Sequence, residues 1–305
     1  MRRHPAIAAL ALTALLVAVT AVWGWTFTIV RDAVAVYTVL AFLTVRFTVA
    51  AAVLAPLSLR RLTRATLIAG GGIGLVLAAA YLLQTLGLKY TTPTNSGLIT
   101  GLFVIFTPFA DKLLFRVRIG RLLWVAVGAS LVGMLLLVGQ SPKQLRTGDV
   151  LTVGCAAGFA VHLSLLSRYA KGHDTGALAL VQMATAAAAF AVAWLALEPL
   201  AAPPPGIWPA LLITGVLASA LAFYIQTFVQ RRLPAVRTAI ILTMEPLFAG
   251  LFGYLLAGDR LTGVQLIGAA LLLCAIALGE VVPVWQKTRR NAAAAPRRSA
   301  AEPRD

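Results

Sequence analysis

Ten apolar runs of about 20 residues each follow one another along this chain, separated by short clusters of charge, proline or glycine. About 20 apolar residues in a helix cross the hydrocarbon core of a bilayer, where only helices and closed barrels satisfy their backbone polar groups. The runs therefore predict an all-α integral membrane protein of ten transmembrane helices, near residues 6–30, 35–57, 67–88, 93–113, 121–140, 148–169, 176–197, 207–228, 234–256 and 262–284.

The composition excludes an ordinary soluble domain. Of the 305 residues, 60% are hydrophobic and 12% are charged, whereas about 25% are charged in a soluble domain. The net charge of +16 is typical of nucleic-acid binding in a soluble protein, but here the basic residues form short clusters between apolar runs. Membrane topology explains these clusters, and no nucleic-acid partner is predicted.

The basic residues also predict the orientation of the chain. With a cytoplasmic N-terminus, 20 of the 26 Lys and Arg residues fall in inside segments and 5 in outside segments. This asymmetry follows the positive-inside rule. It predicts a multi-pass protein of the plasma or inner membrane with both termini in the cytoplasm.

The two ends of the chain have distinct interpretations. Arg2-Arg3-His4 before an apolar run is compatible with a signal peptide, but the run continues through Trp23 to Val30, which favours a first span. After Lys287 the apolar periodicity stops, so residues 286–305 are predicted to be a disordered basic tail lying on anionic lipid in the cytoplasm.

The second half of the chain repeats a pattern of the first half. Residues 80–85 read Ala-Tyr-Leu-Leu-Gln-Thr, and residues 222–227 read Ala-Phe-Tyr-Ile-Gln-Thr. Five spans per copy is an odd number, so the copies must insert in opposite orientations, as in many secondary transporters. We therefore expect two inverted five-helix repeats, at 1–144 and 145–285, although a chance echo between apolar segments is the alternative.

Short motifs spread over nearly the whole chain before the tail carry a family resemblance. They are Trp23-Gly24-Trp25-Thr26-Phe27, Arg46-Phe47, residues 86–92 with Asn95 and Thr100-Gly101-Leu102, and the stretch from Glu245-Pro246 to Gly258-Asp259. In this order the chain resembles the EamA-type transporters of the drug/metabolite transporter superfamily. The resemblance implies ten helices in two repeats around a central cavity, and export of amino acids, metabolites or drugs by alternating access. Asp259-Arg260 departs from the family's usual Gly-Glu-Arg.

Two ionisable residues lie deep within predicted spans, Arg46 in the second and Glu245 in the ninth. A charge at the centre of a span costs about 2.5–3.5 kcal/mol on insertion scales, so such residues face the protein interior or a wet cavity. Glu245 precedes Pro246, whose missing N–H frees a backbone carbonyl one turn earlier. Glu245 is thus a candidate proton carrier or a contact to a substrate amine, and the alternative is a structural ion pair with Arg46.

Polar residues recur on one face of the third and eighth spans. Tyr81, Gln84 and Thr85 share a helical face, and so do Phe223, Gln226, Thr227 and Gln230. Such stripes line a cavity or hydrogen-bond one helix to the next. Their equivalent places in the two copies favour the cavity, because transporter sites lie between repeats.

The remaining cavity candidates are Trp23, Asn95 and His162. Trp23 and Trp25 point to different sides of their helix, so one of them at most faces the cavity. Asn95 either contacts solute or satisfies backbone groups at a helix start. His162 is a proton relay or a neutral, hydrogen-bonded core histidine. Glycine pairs at 70/74, 97/101 and 154/158 predict close helix packing.

Several chemistries have no motif in the chain. There is no phosphate-binding Gly-rich loop, no HExxH and no nucleophile elbow, and Cys155 and Cys274 lie alone in apolar runs. No cofactor, metal or catalytic residue is therefore predicted, and a transporter of a small solute is favoured over an enzyme. The alternatives are a membrane-embedded lipid-modifying enzyme, which lacks clustered acidic residues here, and a structural membrane protein, which leaves the polar stripes unexplained.

Overall fold

The computed structural model describes residues 5–91, 93–138, 147–257 and 262–294, and every regular element within them is helical. The first half contains α1 (Pro5–Val36), α2 (Val39–Ser58), α3 (Arg64–Leu88), α4 (Pro93–Thr100), α5 (Phe103–Phe115) and α6 (Arg121–Val138). The second half contains α7 (Thr147–Tyr169), α8 (Thr175–Leu197), α9 (Trp208–Leu212), a π-helical segment (Ile213–Leu221), α10 (Ala222–Gln230), α11 (Ala235–Leu242), α12 (Met244–Ala257) and α13 (Gly263–Ala294).

Six helical stretches in the described chain are long and apolar enough to cross a membrane. They are Ala9–Val36, Val39–Arg61, Arg64–Leu88, Thr147–Gly172, Thr175–Leu197 and Pro205–Gln230. Two shorter apolar helices cover Arg121–Leu136 and Gly263–Leu278. An all-helical membrane protein is therefore confirmed.

The fourth and ninth predicted spans are not single helices. Residues 101–102 separate α4 from α5, and Thr243 separates α11 from α12. At the first break, Val104 N–H bonds to the Gly101 carbonyl at 3.1 Å, an i to i−3 contact that tightens the turn at a glycine. At the second break, Pro246 has no N–H for the Leu242 carbonyl, so α11 ends at Leu242. The predicted spans at 93–113 and 234–256 are thus each divided into two helices, and the second break lies where the missing Pro246 N–H predicts an opening.

The ends of the chain also differ from expectation. The first helix continues to Val36, beyond the predicted end at residue 30, because residues 31–36 contain no glycine or proline to stop it. The last helix continues to Ala294, so residues 286–294 are helical and not disordered. Alanine, lysine, arginine and glutamine are strong helix formers, which favours this extension. Residues 295–305 lie outside the described chain.

Small residues bring the central helices together. A Cβ added at Gly70 would lie 2.7 Å from Val181 Cβ, and one at Gly158 would lie 2.9 Å from Ala80 Cβ. These glycines pack α3 against α8 and α7, as their spacing predicts. Gly97 has a looser neighbour, since its nearest contact is Phe27 at 3.8 Å. The α3 helix thus packs closely against both α7 and α8.

Candidate functional site

One cavity lies at the centre of the bundle, with about 600 Å³ of free space in it and at its mouth. Its wall draws on both halves of the chain. Its polar lining residues are Thr26, Arg46, Tyr81, Gln84, Thr100, His162, Gln226 and Glu245, and the apolar ones are Trp23, Phe27, Val30, Leu88, Phe103, Phe159, Leu163, Phe223 and Leu242. The cavity is therefore aromatic on most sides, with a few polar groups among the rings.

Helical periodicity explains which residues face this cavity. On α1 the lining residues Trp23, Thr26, Phe27 and Val30 recur at i, i+3, i+4 and i+7, which is one helical face. Tyr81, Gln84 and Leu88 follow the same rule on α3, and Phe223 and Gln226 follow it on α10. The structure thus brings together the predicted residues Trp23, Arg46, Tyr81, Gln84, His162, Gln226 and Glu245. The side chain of Asn95 lies outside the described residues.

Arg46 is held in the wall by polar and aromatic contacts. Its side chain is only 3% exposed, and its Nε donates a hydrogen bond to Ser219 Oγ at 2.9 Å. The guanidinium carbon lies 4.9 Å from the Tyr81 ring centroid and 5.6 Å from that of Phe47. Cation–π contacts of this kind stabilise a desolvated cation.

Glu245 shares the cavity with Arg46 without forming the ion pair that was one expectation. In the described chain, no Arg46 nitrogen lies within 4.0 Å of a carboxylate oxygen. Glu245 is buried and lies in the first turn of α12, directly after the break at Thr243. Arg46 and Glu245 thus line the same cavity without forming an ion pair in the described chain.

Part of each polar stripe lines the cavity, and the glutamines of both stripes form hydrogen bonds within the protein. Gln84 Nε2 donates to Thr100 Oγ1 at 3.2 Å, across to α4. Gln226 Nε2 donates to Gln230 Oε1 at 2.9 Å, while the buried Gln226 Oε1 has no hydrogen-bond partner. An unpaired amide oxygen in a cavity wall is an acceptor for a donor group on a solute.

His162 is paired within the protein. Its Nε2 lies 2.9 Å from Gln182 Oε1, and Gln182 Nε2 donates to the Leu178 carbonyl at 3.1 Å. Because Gln182 Oε1 is an acceptor, His162 is the donor at Nε2. The ring packs edge-on against Phe223, with centroids 5.8 Å apart. The arrangement is that of a hydrogen-bonded histidine with one edge in the cavity wall.

Trp23 is the tryptophan that faces the cavity. Its Nε1 donates to the Ala218 carbonyl at 2.8 Å, and its ring centroid lies 5.5 Å from that of Phe223. Ala218 and Ser219 both belong to the π-helical segment. Segments of π-helix are rare and concentrate at functional sites.

Sequence reasoning missed two polar residues that position the site, Ser219 and Gln182. Ser219 lies four residues before Phe223, so extending the polar stripe by one helical turn identifies it. Gln182 is an amide in the otherwise apolar run 176–184. No repeated pattern in the first half of the chain singles out Gln182. Only the structure shows that it hydrogen-bonds His162.

Comparison with known proteins decides the family. The EamA-like transporter family matches the chain twice, over residues 10–139 and 146–279. The chain belongs to this family. An uncharacterized transporter of Archaeoglobus fulgidus is 31% identical over 264 residues, which are 85% of this chain and 82% of the relative. The EamA resemblance is confirmed, and with it a multi-pass membrane protein of a transporter family.

More distant matches agree with this family. The threonine/homoserine exporter RhtA of Salmonella typhimurium is 29% identical over 177 residues, so the match spans 55% of this chain and 56% of that protein. A protein of known crystal structure superposes with a TM-score of 0.74 at 18% identity, covering 89% of this chain and 97% of that one. At this identity the superposition concerns the fold alone. Within the described chain, no group of His, Cys, Asp or Glu is arranged to hold a metal ion.

Proposed function

We propose that this EamA-family chain is a secondary transporter that exports small metabolites, amino acids or drugs by alternating access. Its ten spans form two inverted repeats, 1–144 and 145–285, with both termini in the cytoplasm and the basic end of the chain on anionic lipid. The observation that carries the proposal is the central cavity, whose wall combines residues of both halves with two intramembrane charges, Arg46 and Glu245.

Helix packing supports the inverted repeat. The α3 helix packs on α7 and α8, while α2 packs on α8 and on the π-helical segment. The α1 helix packs on α12, and α7 packs on α5. Each of these contacts joins one half to the other or has a counterpart with the halves exchanged, as a pseudo-two-fold relation requires. The two family matches, at 10–139 and 146–279, support the same division.

Hydrogen bonds join helices at both ends of the cavity, and alternating access requires these two sets of bonds to open in turn. At one end Thr91 Oγ1 donates to Asp149 Oδ1 at 2.5 Å, joining the end of α3 to the start of α7, and the cavity lining reaches Leu88 nearby. At the other end Gln230 donates to Ser167 Oγ at 2.6 Å and to the Leu163 carbonyl at 2.9 Å. These buried bonds close the bundle below Gln226.

The relatives suggest the first solutes to test. RhtA carries the name of a threonine/homoserine exporter, so L-threonine and L-homoserine are the first candidates. The test is flux of radiolabelled solute in proteoliposomes, with and without an imposed pH gradient, for wild type and Glu245→Gln at equal protein density. A proton-carrying Glu245 predicts that the variant inserts normally but loses flux or its dependence on the gradient.

Two outcomes count against parts of this proposal. Normal, gradient-coupled flux in Glu245→Gln excludes the proton-carrier role and leaves Glu245 as a binding or structural residue. Absence of flux in wild type for a panel of amino acids, metabolites and cationic drugs excludes transport by the isolated chain. Arg168→Gln is a suitable control, because Arg168 lies at the end of α7 over the Phe115 ring and away from the cavity lining.

A further inference from the structure

Arg46 presents a cation to the cavity, and no acidic side chain of the described chain forms an ion pair with it. It lies within α2, a membrane-spanning helix, and it is one of the cavity-lining residues. Among the described residues, no carboxylate oxygen comes within 4.0 Å of its nitrogens. A desolvated cation at membrane depth is costly, and aromatic ring faces offset only part of that cost. An anion that enters the cavity offsets more of it.

The geometry around Arg46 fixes the guanidinium plane. Nε is engaged by Ser219 Oγ at 2.9 Å, and the ring of Tyr81 lies 4.9 Å from the guanidinium carbon. Nε is occupied by Ser219, and the guanidinium also hydrogen-bonds the Tyr81 side chain. The terminal nitrogens together carry four N–H donors, so they still offer the fork that matches a carboxylate in a bidentate pair. A lysine at this place would offer a point charge but not the planar fork.

Ser219 is itself held in an unusual backbone. It belongs to the π-helical segment, and the same segment packs closely on α2, since a Cβ at Gly215 would lie 3.0 Å from the Arg46 carbonyl oxygen. The adjacent Ala218 carbonyl accepts the Trp23 Nε1 hydrogen bond at 2.8 Å. The segment therefore connects two cavity-lining residues, Arg46 and Trp23, through separate bonds.

Glu245 is an acidic residue of the cavity wall, but it does not occupy the place beside Arg46 where a solute anion would bind. It lies beyond 4.0 Å from Arg46 and occupies the first turn of α12. A solute carboxylate can therefore approach Arg46 without displacing a salt bridge.

We propose that Arg46, oriented by Ser219 and Tyr81, binds the carboxylate of the transported solute. The proposal rests on the proposed transport function and adds the chemical group that the solute must carry. Solutes with a carboxylate bind, whereas amides of the same size and shape bind weakly. A charged, bidentate hydrogen-bonded pair corresponds to a preference of about 10- to 100-fold.

The test compares acids with their amides on the purified full-length protein. The probes are L-threonine with L-threonine amide and L-phenylalanine with L-phenylalanine amide. Phenylglyoxal modifies accessible arginines, and mass spectrometry measures the extent of modification at Arg46. We expect an acid to slow modification at Arg46 and the matching amide to leave it unchanged. Modification of Arg232, which is exposed and stacks on Phe228, should be the same in all samples.

Variants provide the second readout. In Arg46→Gln the binding preference for acid over amide, measured by ligand-induced thermal stabilisation, should fall to about equal affinity, and Ser219→Ala should give an intermediate preference. Ser130→Ala is the matched control, because Ser130 is also a buried serine, lies on α6 and does not line the cavity. The phenylglyoxal measurement on wild type decides the question even if Arg46→Gln fails to accumulate.

Three results overturn the proposal. They are equal protection of Arg46 by acid and amide, no protection by any acid, and an acid preference that survives in Arg46→Gln. Failure of the proposed transport function gives a different set of results. Acid protection of Arg46 without flux of any solute would overturn transport and keep the anion site, whereas normal flux of a neutral solute through Arg46→Gln would keep transport and overturn the site.

Discussion

The third and eighth spans carry the same short pattern but have different backbones. Both present an aromatic residue and a glutamine to the cavity, Tyr81 and Gln84 on α3 and Phe223 and Gln226 on α10. The α3 helix is regular from Arg64 to Leu88. The eighth span is π-helical from Ile213 to Leu221, immediately before its copy of the pattern.

The position of a packing glycine explains this difference. Gly74 lies ten residues before Gln84 and packs on α8, while Gly215 lies eleven residues before Gln226 and packs on α2. In a regular helix one extra residue rotates the following face by about 100°. A π turn is wider and takes up an additional residue. With the π-helical segment between them, Gly215 packs on α2 and Gln226 still faces the cavity.

The same pattern thus has two roles in the two spans. In α3 the register needs no adjustment, and the helix gives a rigid, glycine-packed wall. In the eighth span the adjustment places Ser219 beside Arg46 and the Ala218 carbonyl beside Trp23. The extra residue is therefore associated with the half of the cavity wall that orients the arginine.

Single-residue deletions should separate the two spans most clearly. Leu75 in α3 and Leu217 in the π-helical segment are both exposed on the bundle surface, at 57% and 37%. Deleting Leu75 rotates Gly70 and Gly74 away from α8 while the cavity face stays, so we expect loss of folded protein. Deleting Leu217 gives the eighth span the ten-residue spacing of α3, so folded protein should remain. Fluorescence-detected size-exclusion chromatography of fusion proteins measures the amount of monodisperse protein for each deletion.

The deletion experiment has a clear contrary result. If both deletions abolish the monodisperse peak, the π-helical segment is required for folding and does not merely absorb an extra residue. Substitution of the same positions, Leu75→Ala and Leu217→Ala, controls for the loss of the side chain alone.

Adding a methyl group at the close contact of α3 should have the next largest effect. A Cβ at Gly74 would lie 2.9 Å from the Gln182 carbonyl oxygen and 2.8 Å from Thr185 Cβ, so backbone must move. Gly74→Ala should therefore reduce stability by about 1–3 kcal/mol. Gly72→Ala is the control, because a methyl group there would meet no atom within 4 Å and alanine favours a helix. Thermal unfolding in detergent compares the two, and equal midpoints would contradict the packing argument.

Much of the fold follows from the sequence, for physical reasons. A bilayer requires long apolar helices, so the apolar runs identify spans such as α3 and α8 directly. The break at residues 101–102 was missed because apolar composition does not report backbone continuity, and Gly101 was the visible signal for it. The local opening before Pro246 was predicted from the missing proline N–H, and α11 does end at Leu242. The π-helical segment has no composition signal, and only the eleven-residue spacing from Gly215 to Gln226 indicates it.

The sequence predicted which residues line the candidate site better than it predicted which side chains they contact. Periodicity placed Gln84 and Gln226 on faces, and intramembrane charge selected Arg46 and Glu245. Periodicity cannot say which side chain a charge will meet on another helix. Arg46 meets Ser219, which is 173 positions away in sequence. Such pairings depend on the packing of α2 against the π-helical segment.

Removing the hydrogen bond from Trp23 to the π-helical segment should have a smaller effect. Trp23→Phe keeps an aromatic ring but loses the Nε1 donor to the Ala218 carbonyl, so we expect a loss of about 1 kcal/mol. The effect should disappear when Leu217 is also deleted, because a regular helix moves this carbonyl. Additive losses in the double variant would show that the bond does not depend on the π-helical backbone. Trp25→Phe, on another side of α1, is the control for losing an indole.

The starts of the two spans give the smallest expected difference. Thr63 caps the start of α3, since its Oγ1 accepts from the Thr66 N–H at 3.1 Å, and the nearby Arg61 forms an ion pair with Asp174 at 3.1 Å. Asp174 also caps α8 by accepting from the Ala177 N–H at 3.0 Å. The eighth span begins with Pro205 in a turn that has no side-chain cap. Polar contacts thus join the start of α3 to α8, and a matching cap is absent at Pro205.

These contacts predict a weak pH dependence at the start of α3. Partial burial raises the pKa of Asp174, but the Ala177 N–H and Arg61 outweigh burial and hold this pKa below its ordinary value of 3.8. A lowered carboxyl pKa contributes stability above the ordinary value, and this contribution is lost as the pH falls through the folded-state pKa. Asp174→Asn keeps a capping oxygen but loses the ion pair, which is a surface pair, so we expect a loss of about 0.2–1 kcal/mol at pH 7. The difference from wild type should shrink below pH 3.8, as measured by thermal unfolding at a series of pH values.

Arg61→Gln should cost as much as Asp174→Asn, and the double variant no more than either alone. A difference that grows on acidification would mean that Asp174 is stabilised in its protonated form and that the ion pair does not anchor α3.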